Sequence, residues 1–400
     1  MIAVELFAGA GGLALGSMAA GFSHAAVIEW NKNACQTLRK NRELGRIDWP
    51  IHQCDVREFD FRPYEGAELL AGGPPCQPFS IGGKHRGEAD HRNMFPEALR
   101  AVREIQPKFV LLENVKGLLR ESFSDFFDYV VLQLRFPEIR QLAGEDWPAH
   151  LDRLRSAVKR PPRQGLRYDV SFRKLNAADY GVPQRRERVF IVASRSDLNI
   201  TWRFPTPTHS QDALLREQWV TGKYWERHEV SKKERGSIPS SFRSRVARLQ
   251  QKSLLDEGFL PWRTVRDALH DLPEPDQDQR GIANHVLMPG ARVYGGHTGS
   301  PIDEPAKTLK AGDHGVPGGE NMLAFRDGRV RYFTVRESAR LQTFPDDFVF
   351  EGSWTESMRQ LGNAVAVDMG TLLASRIHGC LSNLSQQDSS DVTRGNLQPA

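Results

Sequence analysis

Cysteine is scarce in this chain. Cys35, Cys54, Cys76 and Cys380 are the only four among 400 residues, and none stands in a CxxC pair or a Cys/His cluster. Nothing therefore suggests a zinc site, and the simplest setting is a reducing one, the cytoplasm. No run of 18 apolar residues occurs, so no membrane-spanning helix is expected. The N-terminus, Met1 to Phe7, lacks a basic region and carries Glu5, which argues against a signal peptide. The GxGxxG spacing of dinucleotide sites and the Gly-Lys-Ser/Thr of a P-loop are both missing, as is any internal repeat. What remains is an ordinary globular composition, 39% hydrophobic, with a formal net charge of +4. That length suits two or three domains, or one large α/β domain with an insertion. The slight basic excess is compatible with nucleic acid without demanding it.

Short apolar runs alternate with helical patterns over the first 120 residues. Ala3 to Phe7, Ala25 to Glu29, Leu69 to Ala71 and Phe109 to Glu113 read as strands; Asn33 to Arg42 and Phe95 to Ile105 read as helices. Such alternation predicts an α/β fold with a doubly wound, mostly parallel sheet. Residues 122 to 165 read as a helical insertion plus a loop. Tyr168 to Leu175 and Arg188 to Ser194 read as a strand pair. Composition shifts near residue 202: between Arg216 and Lys252 stand ten Lys/Arg and four Asp/Glu. Glycine crowds the span from Gly281 to Gly328, poor helix material that predicts loops on a second, smaller irregular domain. The boundaries expected are a catalytic domain over 1–200 completed by 345–385, a second domain and hinge over 201–344, and a disordered polar tail over 386–400.

The segments that can carry chemistry sit at strand ends. Phe7-Ala8-Gly9-Ala10-Gly11-Gly12 follows the first strand and opens a helix, where glycines let a ligand approach exposed amides. A tight strand–helix turn is the bland alternative. Glu29 ends the second strand and can take both ribose hydroxyls, with the Trp30 indole free to stack on a base; alternatively Glu29 is a solvated strand end and Trp30 is core. Asp55 ends the third strand and can accept from an adenine amino group. Cys76 lies in the Gly/Pro-rich turn Ala71 to Ser80, at the sheet edge where ligands bind, rather than inside a helix or strand. Glu113 closes an apolar strand, where a carboxyl tends towards a raised pKa and can serve as a general acid; the other reading makes Glu113-Asn114 a helix N-cap region. In Gln184-Arg185-Arg186-Glu187-Arg188, alternation aims Arg186 and Arg188 at one face, suited to a phosphate or a base oxygen, unless the run is simply a solvated basic face.

In this order, together with Arg336 to Pro345 and Gln360 to Val365, the segments resemble the DNA (cytosine-5)-methyltransferase family, over about the first 195 residues and the last 70 before the tail. The resemblance implies a Rossmann-like domain dependent on S-adenosylmethionine and a target-recognition domain over 201–344. It implies methyl transfer to cytosine C5 in double-stranded DNA, in the manner of a prokaryotic restriction–modification enzyme, with no metal. Cys76 would be the nucleophile at C6, Glu113 would protonate N3, and Arg188 would contact O2 with Arg186 in support. The target base would be flipped out of the duplex. Phe7, Ala8, Gly9, Gly11, Gly12, Glu29, Trp30, Asp55, Val56, Pro75, Met94, Asn363 and Ala364 would hold the cofactor. Ser80, Gly82, Lys84 and Arg86, on a mobile loop, with Lys307 and Lys310, would meet DNA. A restriction endonuclease would be a functional rather than a physical partner, and the protein would be a monomer without membrane contact. Two other readings stand beside this one: an RNA (tRNA) cytosine methyltransferase on the same scaffold, and a catalytically silent DNA-binding homologue.

Overall fold

The first strand, β1 (Ile2–Leu6), is buried from its second residue onward, as expected of a strand covered on both faces. The computed structural model describes residues 1–75, 93–251, 258–275, 281–295, 297–311 and 321–395, with side chains to 384. Following β1 are α1 (Gly12–Ala19), β2 (Ser23–Glu29), α2 (Lys32–Glu43), β3 (Ile51–Gln53), β4 (Leu69–Gly72), α3 (Phe95–Ile105), β5 (Phe109–Val115), α4 (Ser124–Arg135), α5 (Trp147–Lys159), β6 (Tyr168–Asn176) and β7 (Glu187–Arg195). The seven strands form one sheet in the order β3-β2-β1-β4-β5-β7-β6. β1 to β5 are parallel, and β7 runs antiparallel between β5 and β6. The strand order reverses between β1 and β4, so their carboxyl ends frame the crevice where open α/β sheets bind ligands.

Local sequence explains these elements. Asn31 caps α2, its side chain accepting from the Ala34 amide. Helix α3 starts with Pro96 in its first turn, and Phe95, Ala98, Leu99, Val102 and Ile105 bury one stripe at helical spacing. Each large member of that stripe contributes roughly 1.5–3 kcal/mol by burial. The stripe packs on Val4, Leu6, Leu70, Val110 and Leu112, which share one face of the sheet. Ala3, Leu69, Ala71, Phe109 and Leu111 point to the other face.

Beyond β7 the elements shorten: β8 (His209–Ser210), α6 (Gln211–Arg216), α7 (Lys223–Arg227), α8 (Lys232–Arg235), α9 (Arg243–Gln251), β9 (Leu260–Pro261), α10 (Val265–Leu269), β10 (Ser300–Pro301), β11 (Met322–Ala324) and β12 (Val330–Tyr332). Two small cores, around Tyr224 and Trp225 and around Leu215 and Val246, belong wholly to this span. Val265, Ala306, Leu309, Leu323 and Phe333 instead share a core with Ala10, Ala14 and Leu38 of the first 45 residues. The chain then returns to the sheet through α11 (Val335–Leu341), α12 (Trp354–Asn363) and α13 (Val367–Gly395). α13 runs on to Gly395, within the span 386–400 where a polar tail is expected. No Gly or Pro interrupts residues 381 to 394, so a helix anchored by its buried first turns can propagate.

Helices α1 and α13 touch backbone to backbone at Gly16 and Gly370. A Cβ on Gly16 would lie 2.5 Å from the Thr371 nitrogen and 2.6 Å from the Gly370 carbonyl carbon. Gly16→Ala is expected to lower unfolding free energy by about 1–3 kcal/mol through overpacking. Gly379→Ala, in mid-helix with nothing within 4 Å of the added carbon, is expected to raise it by up to about 1 kcal/mol. Urea unfolding of the two variants, read against the parent, checks the opposite signs.

Candidate active site

The turn after β1 is held by a carboxylate. Glu29, 7% exposed at the end of β2, accepts from the Gly9 amide through Oε2 at 2.7 Å and from the Asn31 amide through Oε1 at 2.7 Å. Burial pushes its pKa up, and these backbone donors pull it back. Phe7 takes φ +55° at the turn, a left-handed conformation uncommon for a bulky residue and typical of strained functional loops. Gly9 has φ +55°, and a Cβ placed there meets nothing within 4 Å, so the loop is open on that side. Trp30, next to Glu29, is 72% exposed, an unusual place for an indole. An open glycine, an anchored carboxylate and an exposed aromatic at adjoining strand ends fit a nucleoside-bearing ligand.

On the other side of the crevice, β5 presents Glu113, 7% exposed, ion-paired with Arg188 Nε at 2.8 Å. Burial pushes the Glu113 carboxyl up, while Arg188 and Arg186 oppose that shift. The Glu113 Oε2 lies 3.4 Å from the position of a Cβ on Gly73. Asn114, next along β5, donates to the Pro74 carbonyl at 3.0 Å. The buried acid and the Gly73-Pro74-Pro75 turn are thereby fixed against each other. Asn114 is no helix cap, as the alternative reading had it; its amide pins the turn instead. Cys76 is bonded directly to Pro75, but Cys76, Ser80, Gly82, Lys84 and Arg86 lie outside the described residues.

Arg186 lies just before β7, which begins at Glu187, and with Arg188 it faces Glu113. Its guanidinium is 2% exposed and donates to the carbonyls of Leu309, Gly362 and Ala364. Its terminal nitrogens are committed to backbone rather than to a phosphate, and Nε has no partner among the described residues. Arg186 and Arg188 line one narrow cleft together with Phe190, Val365 and Met369.

Asp55 is also placed differently. β3 ends at Gln53, and Asp55 caps the short helical turn that contains the buried Val56. Arg57 grips both Asp55 oxygens and holds the carboxyl below its usual range. Gly11 and Gly12 are buried: added carbons would meet Trp49 at 2.8 Å and the Val365 carbonyl at 2.2 Å, so packing requires them small. Ala8 is half-buried behind Gly9, Pro75 is exposed, and Met94 packs on the α3 core with its amide 3.4 Å from the Pro75 carbonyl. Asn363 is exposed at the end of α12, beside buried Ala364. Lys307 reaches Thr298, and the Lys310 backbone bonds both ways with the Asn321 side chain.

Several contributors stood in the sequence only as members of motifs, without a role. Gln184, fully buried, receives the Leu309 amide and donates to the Leu341 carbonyl. Gln342 donates to the Leu361 carbonyl. Arg336, fully buried, donates to the carbonyls of Ala283, Pro345 and Phe348. Polar side chains within apolar stretches are the only hint sequence offers of such clamps. Among the described residues, no group of His, Cys, Asp and Glu could hold a metal ion, and no helix is long and apolar enough to cross a membrane.

Compared with known proteins, residues 1–136 and 163–379 match the family described as C-5 cytosine-specific DNA methylase. The chain belongs to that family. It is a DNA cytosine-5 methyltransferase, and the expected strand-end motifs thereby acquire their setting. A relative named Type II methyltransferase M.NgoMIV, from Neisseria gonorrhoeae, is 33% identical over 90% of this chain and 92% of its own length. Type II methyltransferase M.Eco47II of Escherichia coli is 33% identical over 96% of this chain and 80% of its own. Among solved structures, a variant of Spodoptera frugiperda DNMT2 superposes with a TM-score of 0.55 at 15% identity, covering 94% of this chain and 99% of that one. The last likeness speaks for the fold alone.

One acid of the methylase's central strand stands apart from this network. Glu5, 1% exposed in β1, has an Oε2 without a partner, and burial pushes its pKa up to about 8. The unfolded chain ionises it near its ordinary value, 4.5, whereas the folded chain keeps it neutral until about pH 8. Folding stability is therefore lost as pH rises between those values, and is flat on either side. Glu5→Gln is expected to remove that slope and to be the more stable protein above pH 7, by at most on the order of 4 kcal/mol. Thermal unfolding of parent and variant across pH 4 to 9 checks this; parallel curves would contradict it.

Proposed function

We propose that the protein transfers a methyl group from S-adenosylmethionine to cytosine C5 within a short specific sequence of duplex DNA, as a type II restriction–modification enzyme. The observation that carries this reading is the junction of Glu113 with the turn leading to Cys76: a buried carboxyl, paired to Arg188, beside Gly73 and tied through Asn114 to Pro74. The 33% identity to two type II methyltransferases supports the restriction–modification setting.

S-adenosylmethionine supplies an electrophilic methyl group. Phe7, Gly9, Glu29 and Trp30 would hold its nucleoside, with Asp55, Val56, Met94, Pro75, Asn363 and Ala364 around them. Cytosine C5 is a weak nucleophile. Attack of the Cys76 thiolate on C6 makes C5 electron-rich. Glu113, whose carboxyl burial pushes towards the protonated form, donates to N3 as charge develops there. Arg188 holds both Glu113 and the cytosine O2, and Arg186 fixes the wall behind it. Once C5 is methylated its proton leaves and the thiol is eliminated, restoring the ring. C6 is shielded in a stacked duplex, so the target base is flipped into the crevice. Residues 201–344 would act as the target-recognition unit, with Lys307 and Lys310 near the DNA together with the loop that carries Ser80, Gly82, Lys84 and Arg86. The enzyme would act as a cytoplasmic monomer, without a stable complex with a nuclease.

Incubation with labelled S-adenosylmethionine and unmethylated genomic DNA, followed by bisulfite sequencing, is expected to give protected cytosines sharing one short context. Transfer to tRNA but not to DNA would overturn the substrate. Cys76→Ser is expected to abolish transfer with an unchanged melting temperature. Glu29→Ala is expected to weaken cofactor binding by roughly tenfold or more in calorimetry, since two charge-assisted hydrogen bonds anchoring the loop are lost with it.

A further inference from the structure

The family match leaves out residues 137–162. This segment contains α5, which folds against α4 around Tyr129, Leu132, Phe136, Leu151 and Leu154. His150, buried, joins the two helices through the Tyr129 hydroxyl and the Ile139 carbonyl. The insertion is a packed unit rather than a slack loop, and its surface is strongly biased. Between residues 135 and 167 stand eight Lys/Arg and four Asp/Glu. The acids are largely engaged. Glu145 is paired with Arg153, Asp152 lies 4.0 Å from Arg155, and Glu138 accepts the Leu166 amide. Arg140, Arg160 and Arg163 are exposed and Arg167 half-exposed, and none has an ion-pair partner among the described residues.

The loop that carries Arg163 and Arg167 is held against the segment that carries Arg140: Glu138 accepts the Leu166 amide and lies against Gly165. Arg140 in turn acts on Arg103 of α3, whose charge is disfavoured first by burial and then by Arg140. Arg103 is half-buried and has no ion pair among the described residues; Glu104 and Glu97 offset the repulsion only in part. Keeping two guanidiniums together without a paired carboxylate is unfavourable unless an anion joins them. The location matters equally. Tyr168 pairs with Arg195, one step beyond the Phe109–Ser194 pair, so the 160–167 loop and the end of α3 lie at the amino end of β5. Glu113 pairs with Phe190, at the far end of β5 and about 17 Å away along the strands. The basic face is therefore turned away from the crevice.

We propose that Arg103, Arg140, Arg160, Arg163 and Arg167 form a second, sequence-independent docking face for the phosphate backbone of DNA, remote from the duplex held at the active site. It takes flanking or neighbouring duplex, keeping the enzyme on long DNA between encounters with its target. Arginine suits this because its planar fork matches phosphate oxygens, and the released counterions give binding a steep salt dependence. The inference rests on the DNA substrate, not on the catalytic roles assigned above, so an active Cys76→Ser variant would leave it standing.

The test compares the parent with the double variant Arg160→Gln/Arg163→Gln. Fluorescence anisotropy is read with a target duplex of about 14 base pairs, held at the active site, and with a duplex of about 60 base pairs lacking the target, from 50 to 200 mM salt. The double variant is expected to bind the long duplex roughly tenfold more weakly at physiological salt. The slope of log K against log salt is expected to fall by about 0.9 for each phosphate no longer neutralised. Affinity for the short duplex and methyl transfer to a short target duplex should be unchanged, with the same melting temperature. Equal slopes and affinities of parent and variant on the long duplex would overturn the proposal and leave the face for an acidic protein. Equal losses on both duplexes would also overturn it, by placing these arginines on the DNA at the active site.

Discussion

A single buried guanidinium holds together the segments that make this site. Arg186 is buried, and its two terminal nitrogens donate to the carbonyls of Leu309, Gly362 and Ala364. One of these belongs to the span between the small strands, and two belong to the end of α12. The same side chain helps oppose the burial of Glu113. Removing it would strip a donor from three backbone carbonyls and a neighbouring positive charge from Glu113, a loss of the kind that costs several kcal/mol in most proteins. The catalytic half and the late helices are thus bound through the wall of the crevice itself.

Around that clamp the site divides by chemistry. The β1–β2 side offers open backbone, an anchored carboxylate and an exposed indole, features suited to a nucleoside. The β4–β5 side offers a buried acid, an arginine and a rigid proline turn, features suited to chemistry on a base. The two sides meet where the strand order reverses, so two ligands can be brought edge to edge without either crossing the sheet. Rigidity on the second side comes from Asn114, which replaces a freely hinged Gly-Pro turn by one tied to a central strand.

Much of this was legible in the residues. The strands and α3 fall within a residue or two of where apolar runs placed them, because fully buried parallel strands leave little ambiguity of pattern. Glu29 and Glu113 were recognisable as acids closing apolar strands. What sequence hid was partnership. Arg186 and Arg188 looked equivalent by alternation, yet one starts before the strand and spends its donors on backbone more than 100 residues away. Gly11 and Gly12 looked like ligand-facing residues, yet Trp49 and Val365 explain their size. Asp55 looked free, yet Arg57, two residues on, occupies it. Long-range hydrogen bonds of this kind have no period for a sequence to display.

The account turns on Cys76 acting beside Glu113. The most direct measurement is mass spectrometry of the denatured protein after incubation with S-adenosylmethionine and a target duplex carrying 5-fluorocytosine, whose C5 fluorine cannot leave as a proton does. A stable protein–DNA adduct mapped to Cys76, formed much more slowly in Glu113→Gln, is the predicted result. Methylation of the unmodified duplex without any such adduct, or an adduct on another residue, would contradict the account.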